Sequence, residues 1–585
     1  MDESSGITYR IVSSSSLRSL LDAAESPNVE TRRQKLDAIA DPAARSLVDA
    51  LRANVNPSPV QSVLRIVCRR YACFAVIEEP YFDLEEWSAY SALYARAFIP
   101  HERTCRRVHF FSGNENGAAA LTKLLCEGMS QEHVKRWLEE GHNLRYRGFM
   151  VLRAGSSFVV GRTAIEFDGR ATNLPAEVRQ HSLEKTGYPY CTAAIPNAVH
   201  IGGVEIGVRS PPFVQQNPAI GMCATASVWI ASQVLSHRFG LHKFSYDTIT
   251  RQAIYPGAHP SASPRSEWKF GKGLTVAEIR EAIAWTGASP ILFAPGPKEH
   301  QSAQARMRFF AYTFVESGLP VVITYRSRHS AHAVTAVGHT VPDGATVTAE
   351  SEACLVFGKQ LAGSLRQHHL LGLASQLYYV HNDAYGPFDR IQFASDAVVE
   401  GVRKEAKDTK DKFLSDAPCI ISRGSNGKPD QLLSALIVPL PPYVQNSPEN
   451  VVIDAMQSLD KLFPPAESEK VLWRCFLAFA PDFKQSTILR KYPQKIRQAY
   501  VSLHLPLYVW VVEFTVVPQA SGLPFAPDRT ISGEFLYDST TAYYEPFCLT
   551  QRFGNWFRNC RKTEDDVNEE GRVPQLHCFI PTQTR

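Results

Sequence analysis

The sequence feature that most constrains the fold is a polar, proline-containing segment that runs into an apolar stretch, with Cys223 at the junction. From Ala224 onward, small and large apolar residues would occupy most faces of a helix, which is typical of a helix buried in a domain core. Cys223 would then lie in the first helical turn, where unpaired N–H groups and the helix dipole favour the nucleophilic thiolate. A small, inert core thiol is the alternative, but the residues downstream favour the nucleophile.

Two downstream segments carry side chains that suit a cysteine nucleophile. The first, residues 330–339, predicts an apolar strand with His332 near its entrance. The second begins as a short apolar strand at residues 377–380 and continues into a polar turn that contains Asn382 and Asp383. A carboxylate or an amide at that turn can reach back to a histidine ring, so the two segments are expected to lie side by side.

Thiol chemistry explains why these segments belong together. A cysteine nucleophile needs a base, the base needs a third group that fixes its tautomer, and the tetrahedral intermediate needs hydrogen-bond donors. Cys223 and His332 suit the first two roles. Asp383 suits the third, with Asn382 as the alternative.

The order of these segments, a cysteine on a helix, a histidine on a strand and an Asx residue at the end of the next strand, resembles that of the papain-like cysteine peptidases. It is most similar to the bacterial branch that includes the leader-cleaving, double-glycine peptidases of bacteriocin export systems. The matching segments are Gln215-Gln216 before Cys223, His332-Ala333-Val334-Thr335-Ala336-Val337-Gly338, and Asn382-Asp383-Ala384-Tyr385-Gly386. The resemblance covers residues 206–395 and implies a papain-like α+β core, in which a helical part carries the Cys and an antiparallel β part carries the His and the Asp or Asn.

This chain departs from the family pattern beside the cysteine. The family has a Gln six residues before the Cys and a Gly after it, where this chain has Asn217 and Ala224. Gln216 fills the role of oxyanion donor if the loop holds a one-residue bulge, and Gln215 if the bulge is larger. The backbone N–H of Cys223 is the expected second donor.

Within the third motif the resemblance favours Asp383. It stands three residues before Gly386, as the family's Asx residue does before its glycine, and a carboxylate stabilises an imidazolium better than an amide does. Neither a cofactor nor a metal is predicted. His329 and His332 would share one face of a helix but not of the strand expected there, and the twelve cysteines show no zinc-binding spacing.

The pattern along the chain predicts four parts: a helical segment 1–60, a mixed α/β domain 61–205, the papain-like domain 206–395, and a C-terminal α/β or β-rich domain 396–585. Within the C-terminal domain, the sequence pattern predicts a helix from Glu467 to Phe479. The segment Pro256 to Gly273 is rich in Pro, Gly and Ser, which indicates an exposed loop that borders the cleft.

The charge and hydropathy of the sequence indicate which binding partners and which cellular location to expect. The chain of 585 residues has 62 basic and 58 acidic side chains, an excess too small to indicate nucleic acid or an anionic membrane surface. Arg103, Arg106, Arg107 and His109, with Arg145 and Arg147 further on, form a basic group that we interpret as a solvated face. The amino terminus has no apolar core of a signal peptide, and the most apolar run is too short to span a bilayer, so we expect a cytoplasmic protein.

The sequence therefore predicts a thiol hydrolase. The first interpretation is a cysteine peptidase that cleaves a peptide or isopeptide bond in a peptide or protein substrate. A glutamine deamidase or acyltransferase with the same triad is an alternative, as is an inactive papain-like scaffold that binds a protein partner through its flanking domains.

Overall fold

The protein is a mixed α+β chain that divides into two compact units. The first unit contains Met1–Asp343 and Ser375–Pro442, and the second contains Gly344–Ala374 and Tyr443–Arg585. The computed structural model describes residues 7–53, 58–70, 73–91, 103–113, 117, 120–121, 123, 132, 136, 144–153, 160–167, 188–216, 223–254, 273–296, 300–341, 352–358, 366–375, 377–415, 419–423, 429, 431–465, 469–490, 492–517, 531–542 and 544–560.

The first unit begins with a five-stranded antiparallel sheet in the order β1-β2-β3-β4-β5. Its strands are β1 (Thr8–Val12), β2 (Cys73–Tyr81), β3 (Cys105–Ser112), β4 (Arg145–Leu152) and β5 (Val160–Ile165). The helices of this region are α1 (Ser14–Ala24), α2 (Val29–Asp37), α3 (Arg45–Arg52), α4 (Pro59–Arg70) and α5 (Leu84–Ala89), with a 3₁₀ turn at Pro42–Ala44. Apolar residues of α1, α3 and α4 share one core with the sheet, including Leu20, Leu47 and Val63 against Phe110.

Next come a β-hairpin and the helices that precede the second sheet. The elements are β6 (Tyr188–Cys191), β7 (Ile195–Ile201), β8 (Val204–Ser210), α6 (Cys223–Phe239), α7 (Tyr246–Ile254), α8 (Val276–Trp285), β9 (Ser289–Phe293) and α9 (His300–Glu316). Helix α8 starts with a capping box, because Thr275 and Glu278 bond each other's backbone N–H groups.

The second sheet of the first unit contains eight strands and carries the histidine segment. Its strands not yet named are β10 (Val321–Arg326), β11 (Ala331–Val341), β13 (Leu377–Asn382), β14 (Gly386–Phe393), β15 (Ile420–Arg423) and β16 (Gln431–Leu440). The helices α12 (Asp396–Asp408) and α13 (Lys412–Ser415) lie between β14 and β15 in the chain. Strands β10, β11, β13, β14, β15 and β16 form a closed ring of antiparallel pairs, since β16 pairs with both β15 and β10. Strand β6 adds to β11, and β9 adds to β16.

The second unit is a six-stranded sheet with helices. The segment inserted between β11 and β13 gives α10 (Cys354–Phe357), β12 (Arg366–Leu370) and α11 (Leu371–Ala374). The rest is α14 (Pro448–Leu462), β17 (Glu469–Phe479), α15 (Ala480–Leu489), α16 (Gln494–Ser502), β18 (Tyr508–Val517), β19 (Gly533–Asp538), β20 (Cys548–Phe553) and β21 (Trp556–Asn559). The strand order is β12-β17-β18-β19-β20-β21, with β12 parallel to β17.

Two sequence predictions differ from this fold. The helix predicted for Glu467 to Phe479 is wrong, because β17 lies between β12 and β18 and buries alternate residues such as Val471 and Trp473. The predicted boundaries at residues 60 and 395 also differ from the division observed. The helices before residue 53 share a core with α4, and β15 and β16 belong to the ring of the first unit.

Two further expectations concern membrane-spanning helices and the segment Pro256 to Gly273. Among the described residues, none of the helices is both long and apolar enough to cross a membrane. The expectation for the segment Pro256 to Gly273 falls, apart from its last residue, outside the described residues.

Candidate active site

Cys223 is the first residue of helix α6, as its sequence predicts. Residues 224–235 of this helix are all buried, whereas Cys223 itself is partly exposed. The helix is tied to strand β11 because the Thr335 hydroxyl donates to the Ser227 carbonyl over 3.1 Å. A rigid, buried helix therefore holds a reachable thiol at its amino end, where unpaired backbone N–H groups favour negative charge.

His332 is the second residue of β11 and therefore lies near the start of that strand. It is paired with Tyr325 of β10, and the two rings meet edge to face with centroids 5.6 Å apart. Its side chain is 20% exposed, so the imidazole is held by packing but one part of it remains open to solvent.

Asn382 and Asp383 both face the same nitrogen of His332. Strand β13 pairs with β11, and Asn382 is its last residue. The distance from His332 Nε2 to Asn382 Oδ1 is 2.9 Å, and that to Asp383 Oδ1 is 3.3 Å. The structure therefore brings both sequence candidates to the ring, with the hydrogen bond made to Asn382 and the carboxylate of Asp383 slightly further away.

The other partner of the imidazole is the thiol. The Cys223 thiol lies close enough to His332 to raise the pKa of its imidazole. Because Nε2 is directed at Asn382 and Asp383, Nδ1 is the nitrogen left for the sulfur. The imidazole thus lies near the thiol as well as the two Asx side chains, and a proton on Nε2 leaves Nδ1 as the base.

Electrostatics at the site favour a charged imidazole. Burial lowers the pKa of His332, but the neighbouring Cys223 thiol, the negative charge of Asp383 and the hydrogen bond to Asn382 outweigh it and raise the pKa to about 9. Burial raises the pKa of Asp383, and the nearby His332 opposes that rise. A protonated imidazole is the form that stabilises an adjacent thiolate.

The two glutamines before the cysteine have different environments. The Gln215 side chain is buried, and its Oε1 accepts a hydrogen bond from the backbone N–H of Val160 over 3.2 Å. The backbone carbonyl of Gln215 accepts from Arg153. Gln215 therefore ties this segment to the first sheet. Gln216 is partly exposed, and its Oε1 is buried with no hydrogen-bond partner among the described residues. Asn217 lies outside the described residues.

Two contacts that sequence reasoning missed hold the Asx turn. The Ser62 hydroxyl of helix α4 donates to the Pro387 carbonyl over 3.3 Å. Gly386 has φ +108°, and a Cβ there would lie 2.6 Å from Ser62 Cβ, so the helix packs closely against the turn. Asp389 accepts from the Asn382 amide. The glycine was visible as a signal, but the distant helix that needs it was not.

Two of the remaining histidines near the site, His381 and His339, have structural environments. His381 is fully buried, donates from Nδ1 to the Pro212 carbonyl, and has its pKa lowered to about 3 by burial. His339 is bonded to Glu316, and His329 is exposed. In the part of the chain that the structure describes, no group of three His, Cys, Asp or Glu side chains could hold a metal ion.

The basic group of the first sheet is a solvated face only in part, since Arg103 and Arg145 are exposed and other members are buried. Arg107 and His109 are buried beside Glu78, where the Arg107 guanidinium neutralises the Glu78 carboxylate. Arg106 is partly exposed and pairs with Glu79.

The sequence candidates thus form one cluster of Cys223, His332, Asn382 and Asp383, with Gln215 used to hold the chain. Comparison of the chain with protein-family models, with curated proteins and with solved structures finds no match.

Proposed function

We propose that this protein is a thiol hydrolase of papain-like type, a cysteine peptidase that acts on a peptide or protein substrate. Cys223 is the nucleophile, His332 is the base, and Asn382 orients the imidazole with the help of the Asp383 charge. The observation that carries this proposal is the His332 ring, bonded to Asn382 Oδ1 2.9 Å away and close enough to Cys223 for the thiol to raise its pKa.

The proposed reaction begins with transfer of the thiol proton to His332. The sulfur attacks the substrate carbonyl carbon, and the developing oxyanion accepts a hydrogen bond from the Cys223 backbone N–H at the start of helix α6. The imidazolium then protonates the leaving amine, which leaves a thioester on Cys223. Water, deprotonated by His332, attacks the thioester and releases the acid and the free thiol.

Asn382 is well suited to its role in this scheme. Its Oδ1 accepts from Nε2 of His332 and also from the backbone N–H of Ala384 over 3.1 Å. Both bonds direct the carbonyl oxygen, rather than the NH₂ group, at the ring. The proton therefore stays on Nε2, and Nδ1 remains the nitrogen that takes the proton of the thiol.

Labelling with a peptide that carries a thiol-directed electrophile tests the proposal. We expect modification at Cys223, identified by peptide mapping, and its loss in Cys223→Ser. Cys354→Ser is the matched control, because Cys354 is an exposed thiol whose pKa is raised by burial of the sulfur and by Glu352. Labelling of Cys354 in preference to Cys223 would contradict the proposal. Labelling of Cys223 without turnover of any peptide would instead favour a binding scaffold.

A further inference from the structure

The Asn382 amide can adopt two orientations of nearly equal shape, and only one of them serves His332. An amide presents one acceptor and two donors, and its oxygen and nitrogen ends differ little in size. In the observed orientation Oδ1 accepts from His332 Nε2. After a flip, the NH₂ group would face the Nε2 proton, donor against donor, and the ring would lose this acceptor.

A carboxylate on the neighbouring strand selects the useful orientation. Asn382 Nδ2 donates to Asp389 Oδ2 over 3.0 Å. Asp389 lies on β14, opposite Val380 in the register of β13 and β14, and the register shift between Val380 and Asn382 turns the amide toward it. A flipped amide would set Oδ1 against the Asp389 carboxylate, acceptor against acceptor.

The environment makes this selection effective. Asn382 is fully buried and Asp389 is partly buried, so water competes little for the amide. A charge-assisted hydrogen bond to a carboxylate is stronger than one between neutral groups. Asp389, Asn382 and His332 thus form a chain of hydrogen bonds that ends at the imidazole.

We propose that Asp389 is a positioning residue of the active site, which fixes the Asn382 amide so that its oxygen faces His332. The role rests on the proposed function of Cys223 and His332, but the orientation of the amide does not require turnover. Asp389 contacts neither the thiol nor a substrate in this scheme, and acts on the imidazole through Asn382.

Two replacements separate the hydrogen bond from the charge. Asp389→Asn keeps a carbonyl oxygen that accepts from Asn382, whereas Asp389→Leu removes the acceptor. For Asp389→Leu we expect Cys223 labelling by iodoacetamide to slow about tenfold, the loss of one hydrogen bond, and the pKa of His332 to fall. Asp389→Asn is expected to restore both to within about threefold of the wild type.

A matched control excludes a general effect of instability. Glu166→Leu removes another partly buried carboxylate of the first unit, which pairs with Arg147 over 2.6 Å. It should lower the free energy of unfolding without changing the pKa of His332, measured from the imidazole NMR signals that disappear in His332→Gln. An unchanged His332 pKa in Asp389→Leu would overturn the inference. If the wild-type Cys223 is unreactive while that pKa still shifts, the proposed function fails and the positioning role stands.

A separate observation concerns two thiols of the second unit. Cys548 starts β20 and Cys560 follows β21, and their sulfurs lie 3.9 Å apart. The Cys560 N–H donates to the Leu549 carbonyl over 2.9 Å, which holds the two residues together. Both thiols are partly exposed. Their hydrogen bond makes them unequal, because it raises the pKa of Cys548 and lowers that of Cys560.

We infer that Cys548 and Cys560 form a dithiol site that reacts with small disulfides. The Cys560 thiolate attacks one sulfur of a disulfide R–S–S–R, forming a mixed disulfide and releasing R–S⁻. Cys548 loses its proton and attacks the Cys560 sulfur, releasing the second R–S⁻. The products are one Cys548–Cys560 disulfide and two R–SH, so the added disulfide is the oxidant. The sulfurs must approach from 3.9 Å to about 2.05 Å, at the end of a hairpin.

Incubation of the full chain with oxidised glutathione tests this site by mass spectrometry. We expect an internal Cys548–Cys560 disulfide in the wild type, and a persistent glutathione adduct on Cys560 in Cys548→Ser, where the second step is blocked. Exposed Cys354 is the internal reference for a thiol that reacts through exposure alone. A persistent Cys560 adduct in the wild type, or modification of Cys354 with none at this pair, would overturn the inference.

Discussion

Two of the histidine–carboxylate pairs in the first unit, those of His332 and His109, show by comparison what distinguishes a candidate catalyst from a structural group. His332 faces Asn382 and Asp383, with its Nε2 3.3 Å from the Asp383 carboxylate. His109 of strand β3 faces Glu78 at the same Nε2 distance of 3.3 Å. The local geometry alone therefore does not separate them.

Their surroundings differ in access and charge. His109 is completely buried, its Nδ1 is bonded to the Tyr146 hydroxyl, and Arg107 pairs with the same Glu78. Burial lowers the pKa of His109 to about 4, with the Arg107 charge adding to the effect against the opposing Glu78 hydrogen bond. His332 is partly exposed, and its second partner is a thiol rather than a phenol. Burial and a nearby cation lower the pKa of His109, whereas the Cys223 thiol and the Asp383 charge raise that of His332.

The largest effect expected from this comparison is on stability, at the His109 cluster. Arg107→Met leaves Glu78 as a buried carboxylate without its guanidinium, because Arg107 and Glu78 are paired at 2.7 Å with side chains 6% and 7% exposed. We expect a loss of about 3–5 kcal/mol in the free energy of unfolding, measured with urea. Arg106→Met removes a partly exposed pair with Glu79 and is expected to cost about 0–1 kcal/mol. Equal losses would contradict the assignment of a structural role to the buried cluster.

The pH dependence of stability should have opposite signs at the two histidines. His109 is neutral when folded, so between its pKa of about 4 and the unfolded value of about 6.5 the unfolded state binds more protons, and stability falls as pH is lowered. His332 gains a proton in the folded state, so its contribution is complete below about 6.5 and is lost as pH rises toward about 9.

Urea unfolding at a series of pH values checks both windows. His109→Gln should remove the acidic part of the dependence, and His332→Gln the alkaline part. Dependence that is unchanged in both variants would show that neither histidine is perturbed as described.

A smaller effect should decide between Asn382 and Asp383. Because Asn382 makes the shorter contact to His332, Asn382→Ala is expected to slow iodoacetamide labelling of Cys223 about tenfold. Asp383→Asn should mainly lower the pKa of His332 and slow labelling less. The reverse order of effects would identify Asp383 as the group that orients the imidazole.

The smallest effect on stability is expected from the Tyr146 hydroxyl in the buried cluster around His109. Tyr146→Phe removes the hydroxyl that lies 3.0 Å from His109 Nδ1 and should cost about 1 kcal/mol in the free energy of unfolding. Labelling of Cys223 should not change. A slower Cys223 reaction in this variant would mean that the two histidine sites are coupled.

Local patterns were sufficient to find the candidate site. The helix start at Cys223, the strand that carries His332 and the turn after β13 each depend on residues close in sequence, and the structure has them there. What joins them is non-local. The ring closed by β16 and the contact of Ser62 with the Asx turn link residues more than a hundred positions apart, and no pattern within one segment encodes them.

Two errors have physical causes of the same kind. The segment of β17 has apolar residues that fit both helical and strand spacing, and only its neighbours β12 and β18 decide the outcome. Arg107 resembles a solvated charge in sequence, but Glu78, brought beside it on the adjacent strand, lets it be buried.

The rate of Cys223 alkylation as a function of pH tests the central claim most directly. Wild-type protein, treated with iodoacetamide at about pH 6 and mapped, should react at Cys223 about a hundredfold faster than at an ordinary thiol, because the imidazolium of His332 stabilises the thiolate. In His332→Gln that advantage should disappear, while the exposed Cys354 reacts at its original rate. If Cys223 reacts no faster than Cys354, and His332→Gln makes no difference, the cluster of Cys223, His332 and Asn382 is not a nucleophilic site.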